Sequence, residues 1–209
     1  MFVGTFHSFC YQIMKNFAPE SSPSTLIDQS EAIHMLLDRY DEFHPLESEE
    51  FSINPKIAVT DSFIPFFNRL RDELIDLDHI NLDDLKTHYE DSPELFYQIK
   101  DLLRIYPIFQ GWKNERNLID YNDMIRDAFD LLKNDSDFLT LIKNKYKHII
   151  IDEFQDNNFA LNEIVRLIAG NKQSITVVGD DDQVIYSFRG ANSYNISTFQ
   201  NTYSNHPQY

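Results

Sequence analysis

The spacing of apolar residues changes character along this chain, and each change predicts a different element. Phe6, Phe9, Ile13 and Phe17 recur every three or four positions, which predicts a helix with one apolar face. A short strand at Phe2–Val3 and a turn at Gly4 are expected before it. The stretch "APESSPSTLIDQSE" then interrupts the pattern with two prolines and four serines, a boundary signal. Beyond it the helical period returns. Asp28 and Glu31 have capping-box spacing ahead of Ile33, Leu36, Leu37 and Tyr40. Ile64, Phe67, Leu70 and Leu74 form a second stripe, and Ser92–Pro93 opens a third helix carrying Leu95, Ile99, Leu102 and Leu103. After about Asp120 the pattern shifts again. A helix over Met124–Leu132 precedes the run "HIII", a helix over Leu161–Ala169 follows, and then comes "SITVV". Two β-branched runs separated by a helix predict a βαβ unit with a buried parallel sheet, which the opening strand could join. The expected fold is an α/β domain split by an all-helical insertion.

Composition narrows the class. Of 209 residues, 42% are hydrophobic and 14% aromatic, enough for a real core and too much for wholesale disorder. The single cysteine, Cys10, excludes a disulfide framework and reads as a small buried hydrophobe. Neither a basic-then-apolar leader nor an apolar run of roughly 20 residues occurs, so the expectation is a cytoplasmic protein without a membrane span. The net charge of −16 argues at first against nucleic acid. Its distribution softens that objection: Glu20–Leu118 holds 21 acids against 9 bases, and the rest of the chain 13 against 9. The flanks could still form a basic groove. The acid-rich stretches Glu47–Glu50 and Asp76–Asp84 read as solvated faces, Trp112 as packing, and no Cys/His spacing suggests zinc.

Two blocks carry chemistry. In "IIIDEFQD" an apolar strand ends in Asp152 and Glu153. Ligands of parallel α/β sheets bind at the carboxyl ends of strands, where one carboxylate can hold Mg²⁺ and a second can orient or deprotonate water. That is the Walker B logic of a nucleotide triphosphatase; the competing reading is a helix N-terminus whose acids answer free N–H groups. In "ITVVGDDDQVIYSFRGA" a second β-branched run turns at Gly179 into Asp180–Asp182 and Gln183. Gln183 is placed to hydrogen-bond a phosphate or the attacking water. Tyr186, Phe188 and Arg189 could stack bases and touch a phosphate. The competing reading is an acidic turn ahead of an amphipathic segment.

Together the blocks resemble the UvrD/Rep family of superfamily 1 DNA helicases. "GTFHSFC" is similar to that family's DNA-contacting segment in the first RecA-like domain. "LIDYNDMI", Leu118–Ile125, is similar to the place where the family's chain re-enters this domain after a helical insertion. The four motifs stand in family order and cover essentially the whole chain. The resemblance implies a partial RecA-like parallel sheet: residues 1–18 and 119–209 in the ATPase domain, and 19–118 as the helical insertion. It also implies ATP and Mg²⁺ as cofactors, with Asp152 on the metal and Glu153 as base. Gln183 would sense the γ-phosphate, Gln155 would join Asp152 and Gln183 in binding the cofactor, and Gln155 and Asp156 would link the nucleotide site to neighbouring motifs. Thr5, Phe6 and His7 would line the DNA track, with a satisfied core position as the alternative for His7. Tyr186 and Phe188 would stack on single-stranded DNA beside Arg189; the family often has tryptophan where Phe188 stands.

A Walker A loop has two glycines five residues apart, with lysine and serine or threonine after the second. Gly4, Gly111, Gly170, Gly179 and Gly190 provide no such pair. The family's Walker A lies upstream of the segment that opens this chain, and its second motor domain would lie beyond Tyr209. The expectation is a helicase segment, translocating 3′ to 5′ in the parent protein and inactive alone. The alternatives are a catalytically inactive DNA- or protein-binding module, or the motor segment of an AddA/RecB-like helicase–nuclease. The acidic insertion suggests a protein partner in place of broad phosphate contact.

Overall fold

The computed structural model describes residues 1–17, 25–170 and 174–180. Along the chain run α1 (Phe6–Phe17), β1 (Thr25–Leu26), α2 (Gln29–Asp38), α3 (Glu49–Ile53), α4 (Pro55–Ile57) and α5 (Ile64–Asp72). There follow α6 (Leu82–His88), α7 (Pro93–Glu115), β2 (Leu118–Ile119), α8 (Tyr121–Asn134), α9 (Ser136–Lys145), β3 (His148–Ile151), α10 (Phe159–Ala169) and β4 (Ser174–Val177). The described chain is mostly helical, with two small parallel sheets. It divides into two compact units, one of Met1–Ser22, Arg71–Leu74 and Met124–Tyr209, the other of Pro23–Leu70 and Ile75–Asp123. No helix among the described residues is long and apolar enough to cross a membrane.

The second unit is helical around an aromatic core. Phe43, Phe51, Phe63, Phe67, Phe109 and Trp112 are all buried there. Phe43 stacks on Trp112 with ring centroids 5.2 Å apart, and the Arg39 guanidinium covers the indole at 3.9 Å. Trp112 is thus a packing residue, as its sequence context predicted. The capping box of α2 forms: Glu31 N–H donates to Asp28, and Asp28 N–H donates to Glu31, each at 2.8 Å. Between α4 and α5 the helix widens into a π-turn over Ala58–Phe63. Pro65 supplies a reason, since its ring would press on the carbonyl four residues back in a regular α-helix. Strands β1 and β2, unforeseen in the sequence, pair in parallel with Thr25 opposite Leu118 and Leu26 opposite Ile119. They tie the first described residues of this unit to its last turn.

The first unit holds β3 and β4, paired in parallel from His148–Ser174 to Ile151–Val177. Ile151, Phe154, Val165, Ala169 and Ile175 form the cluster beneath them, with Phe6, Ile149 and Val177 against its edge. Cys10 is buried in this unit, and burial pushes its thiol up to about 12.

Two expectations need correction. Phe2 and Val3 form no strand; Phe2 instead packs edge-on against Phe9, with centroids 5.5 Å apart. Nor is β3 buried on both faces. Side chains alternate along a strand, so Ile149 and Ile151 face the cluster while Ile150 is 76% exposed. The pairing among the described residues is two-stranded, and its RecA-like extension remains an expectation from sequence.

Candidate active site

The chain leaves β3 through a tight sequence of bends that the neighbouring strand holds in place. Val178 N–H donates to Ile151 O at 2.8 Å, which carries the parallel ladder one residue past β4. Asp152 and Glu153 follow, both exposed to solvent. Glu153 adopts a left-handed backbone with φ 52°, uncommon for a residue with a side chain. That bend turns the chain so that Phe154 N–H reaches Val178 O at 2.9 Å. A 3₁₀ turn over Phe154–Asp156 then buries the Phe154 ring in the cluster. Asn158 caps α10 by accepting from Leu161 N–H at 2.9 Å, and its amide donates to Asp72 at 2.7 Å.

The side chains of this corner form one network. Asp152 Oδ1 accepts Glu153 N–H at 3.1 Å. Gln155, only 1% exposed, donates from Nε2 to Glu153 Oε2 at 2.6 Å and accepts Asp180 N–H on Oε1 at 3.1 Å. Gly179 makes room for this packing: a Cβ there would lie 2.5 Å from Gln155 Oε1 and 3.3 Å from two backbone nitrogens, so the Gln155 amide would have to shift. Asp156 is the strained member. Desolvation, and then the charge of Glu153, raise its carboxyl above the usual range. Its Oδ1 is buried without a hydrogen-bond partner among the described residues.

Thr5, Phe6 and His7 lie at the start of α1 in the same unit. Thr5 is the cap: Ser8 N–H donates to its Oγ1 at 3.3 Å, and Ser8 Oγ donates to its carbonyl at 2.8 Å. Phe6 packs on the cluster beneath β3 and β4, which links the "GTFHSFC" segment to the strands that present the acids. His7 is half-buried, and that burial lowers its pKa. Gln183, Tyr186, Phe188 and Arg189 lie outside the described residues.

The donor set suits a hard cation held in part by other groups. Asp152 presents an exposed carboxylate with one oxygen committed to a backbone N–H, and no group of three or more metal-binding side chains occurs among the described residues. Mg²⁺ is commonly bound through one or two carboxylates together with waters and substrate phosphates, so this arrangement fits it. The Gln155 bridge, the Asp180 N–H that anchors it and the bend at Glu153 have no periodic signature in the sequence. An amide two residues after the acid pair and a glycine after the second β-branched run were the available signals.

Comparison with known proteins converges on the same segment. Residues 1–204 match the family described as UvrD/REP helicase N-terminal domain. The chain is similar to a "Probable DNA helicase II homolog" of Mycoplasma capricolum subsp. capricolum, 28% identical over 208 residues, covering 98% of this chain and 27% of that protein. It is also 28% identical over 207 residues to an "ATP-dependent DNA helicase PcrA" of Staphylococcus aureus, covering 97% of this chain and 26% of that one. An "ATP-dependent DNA helicase Rep" of Buchnera aphidicola subsp. Baizongia pistaciae is 33% identical over 102 residues, 49% of this chain and 15% of its own length. The chain spans about a quarter of the length of the two relatives that match it almost throughout.

Proposed function

The chain belongs to the UvrD/REP helicase N-terminal domain family, and we propose that it is the segment of an ATP-dependent DNA helicase motor carrying the water-activating acids. One observation supports this above the others: Asp152 and Glu153 stand exposed at the carboxyl end of a parallel strand, on a bend latched to the neighbouring strand. Asp152 would hold Mg²⁺ of MgATP through its exposed carboxylate. When bound, that ion neutralises phosphate charge and polarises the phosphoryl group. Glu153, on the same bend, would orient water and take its proton. Gln183 would report on the terminal phosphate. Thr5, Phe6 and His7 at the start of α1, with Tyr186, Phe188 and Arg189, would contact single-stranded DNA. On this reading the helical unit is the family's insertion, and translocation in the parent protein runs 3′ to 5′.

No phosphate loop of the Walker A kind lies within these 209 residues, so this chain alone is expected not to hydrolyse ATP. Metal and DNA binding are therefore the informative assays. Titrating Mn²⁺ into ¹⁵N-labelled chain should broaden amide signals around Asp152, and Asp152→Ala should abolish the effect. Broadening that ignores this substitution refutes the metal assignment. Fluorescence anisotropy with labelled oligo-dT should show weak, salt-sensitive binding. Phe188→Ala should weaken it by roughly 1–3 kcal/mol, the range for loss of a base-stacking ring. Unchanged affinity refutes the stacking role.

A further inference from the structure

We propose that Gln155 is a positioning residue for Glu153 and not a nucleotide ligand: its buried amide joins the Glu153 carboxylate to the backbone where β4 ends. The family resemblance implies a place for Gln155 at the cofactor. The structure places both ends of its amide inside the protein, with Nε2 on Glu153 Oε2 at 2.6 Å and Oε1 under Asp180 N–H at 3.1 Å. At 1% exposure the group makes these bonds away from competing water. The amide is suited to the task because it donates at one end and accepts at the other. A carboxylate here would face Glu153 with like charge, and an apolar side chain could make neither bond.

The surrounding residues commit to this geometry. Glu153 has a left-handed backbone and no side-chain cap on the following turn, and among the described residues the Gln155 amide holds its carboxylate. Gly179 leaves room for Oε1, because a Cβ would stand 2.5 Å from it. The bridge therefore ties the acid at the end of β3 to the exit of β4, the point at which the sequence enters "DDDQ". A shift of that exit would move the Glu153 carboxylate with it. The catalytic consequence rests on reading Glu153 as the base; the bridge itself does not.

An exchange of partners tests it. In Gln155→Glu two carboxylates meet, the side chain leaves its seat, and the Asp180 amide should exchange with solvent tenfold faster or more, followed by NMR on ¹⁵N-labelled chain. In the double variant Glu153→Gln with Gln155→Glu the donor and acceptor trade places. Gln at 153 then donates to Glu at 155, which still accepts Asp180 N–H, and exchange should return to within threefold of the wild type. A side chain that merely fills space would give no such rescue. Wild-type exchange in Gln155→Glu, or a double variant as fast as the single one, overturns the proposal. Should Gln155→Glu fail to fold, Glu153→Ala changes only an exposed side chain. It should shift the Gln155 side-chain amide proton resonances as the charge-assisted bond is lost, and unchanged resonances overturn the proposal. Mn²⁺ broadening at Asp152 in the same samples reports separately on the nucleotide reading: its absence would sink that reading while the exchange rates still decide the bridge.

Discussion

Replacing Lys113 by Met should be among the most damaging single changes in the helical unit. Lys113 is fully buried, and its Nζ donates to Asp120 Oδ2 at 2.9 Å and to Asp123. The ammonium also lies 4.7 Å from the Phe109 ring centroid. Methionine preserves most of the stem volume, so the loss is of charge more than of packing. Asp123 keeps Gln110 Nε2 and Asp120 N–H, each at 3.1 Å, and Asp120 Oδ1 keeps the N–H groups of Asn122 and Asp123. Those neutral donors soften the loss without cancelling two adjacent negative charges. Removing one partner of a buried pair costs about 3–5 kcal/mol, and the retained donors put this case near the lower end. With urea slopes of about 1–3 kcal/mol/M, the midpoint should fall by roughly 1–3 M.

Trp112 makes the assay specific, since it is the sole tryptophan and belongs to this unit's core. Its fluorescence in urea reports that unit's unfolding midpoint. Adding Asp123→Asn to Lys113→Met removes one stranded charge while keeping an acceptor for Asp120 N–H, and should recover more than half of the loss. A single variant within 1 kcal/mol of wild type would refute the reasoning, as would additive effects of the two changes.

Tyr40 donates its hydroxyl to Phe51 O at 2.9 Å, so Tyr40→Phe should cost about 1 kcal/mol by the same fluorescence assay. Burial, and then the charge of Asp101, push that phenol from 10.0 up to about 12. Its stabilisation is complete below pH 10 and lost as pH rises toward 12. The wild type should therefore shed about 2–3 kcal/mol more over that window than Tyr40→Phe does. Cys10, raised from 9.0 to about 12, should react with Ellman's reagent at pH 8 at least a hundredfold more slowly folded than in urea; equal rates would contradict its burial. His7 has its pKa lowered by desolvation, so its contribution is present above the unfolded value near 6.5 and lost as pH falls through the folded one. His7→Gln should lose less stability than wild type between pH 7 and 5 in a denaturant titration followed by circular dichroism, and parallel curves would refute it.

The helical period was legible because apolar stripes bury one face wherever they dock, as Ile64, Phe67 and Leu70 do. Capping was legible at Asp28 for the same local reason: the partners are three residues apart. The paired strands β1 and β2 were not, since two residues each carry no periodicity, and their pairing spans more than ninety positions of sequence. The helix Ser136–Lys145 also went unread, although Asp135 caps it by accepting from Asp137 and Phe138 N–H groups. At the candidate site, the positions of Asp152 and Glu153 after a β-branched run were plain in the sequence. Which groups would hold them was not, because Gln155 meets Asp180 across 25 residues through a contact only the fold creates.

That contact also resolves how an apolar strand can end in two acids. Three isoleucines suggest a strand buried on both faces, which would impose a heavy desolvation cost on any carboxylate at its tip. Among the described residues the structure removes that conflict: Ile150 is exposed, and Asp152 and Glu153 reach solvent. The remaining cost is conformational, about 1–2 kcal/mol for a side-chain-bearing residue in the left-handed region at Glu153. Bonds at the same corner offset it. Phe154 N–H on Val178 O and Gln155 on Glu153 each contribute, and burial of the Phe154 ring adds apolar area that a straight exit from β3 would leave in water. Desolvation falls instead on Asp156, whose raised pKa and Oδ1, without a partner among the described residues, mark it as the carboxylate this corner stabilises least. The bend thus keeps its two leading acids exposed to solvent and leaves the desolvated carboxylate, Asp156, one turn further on.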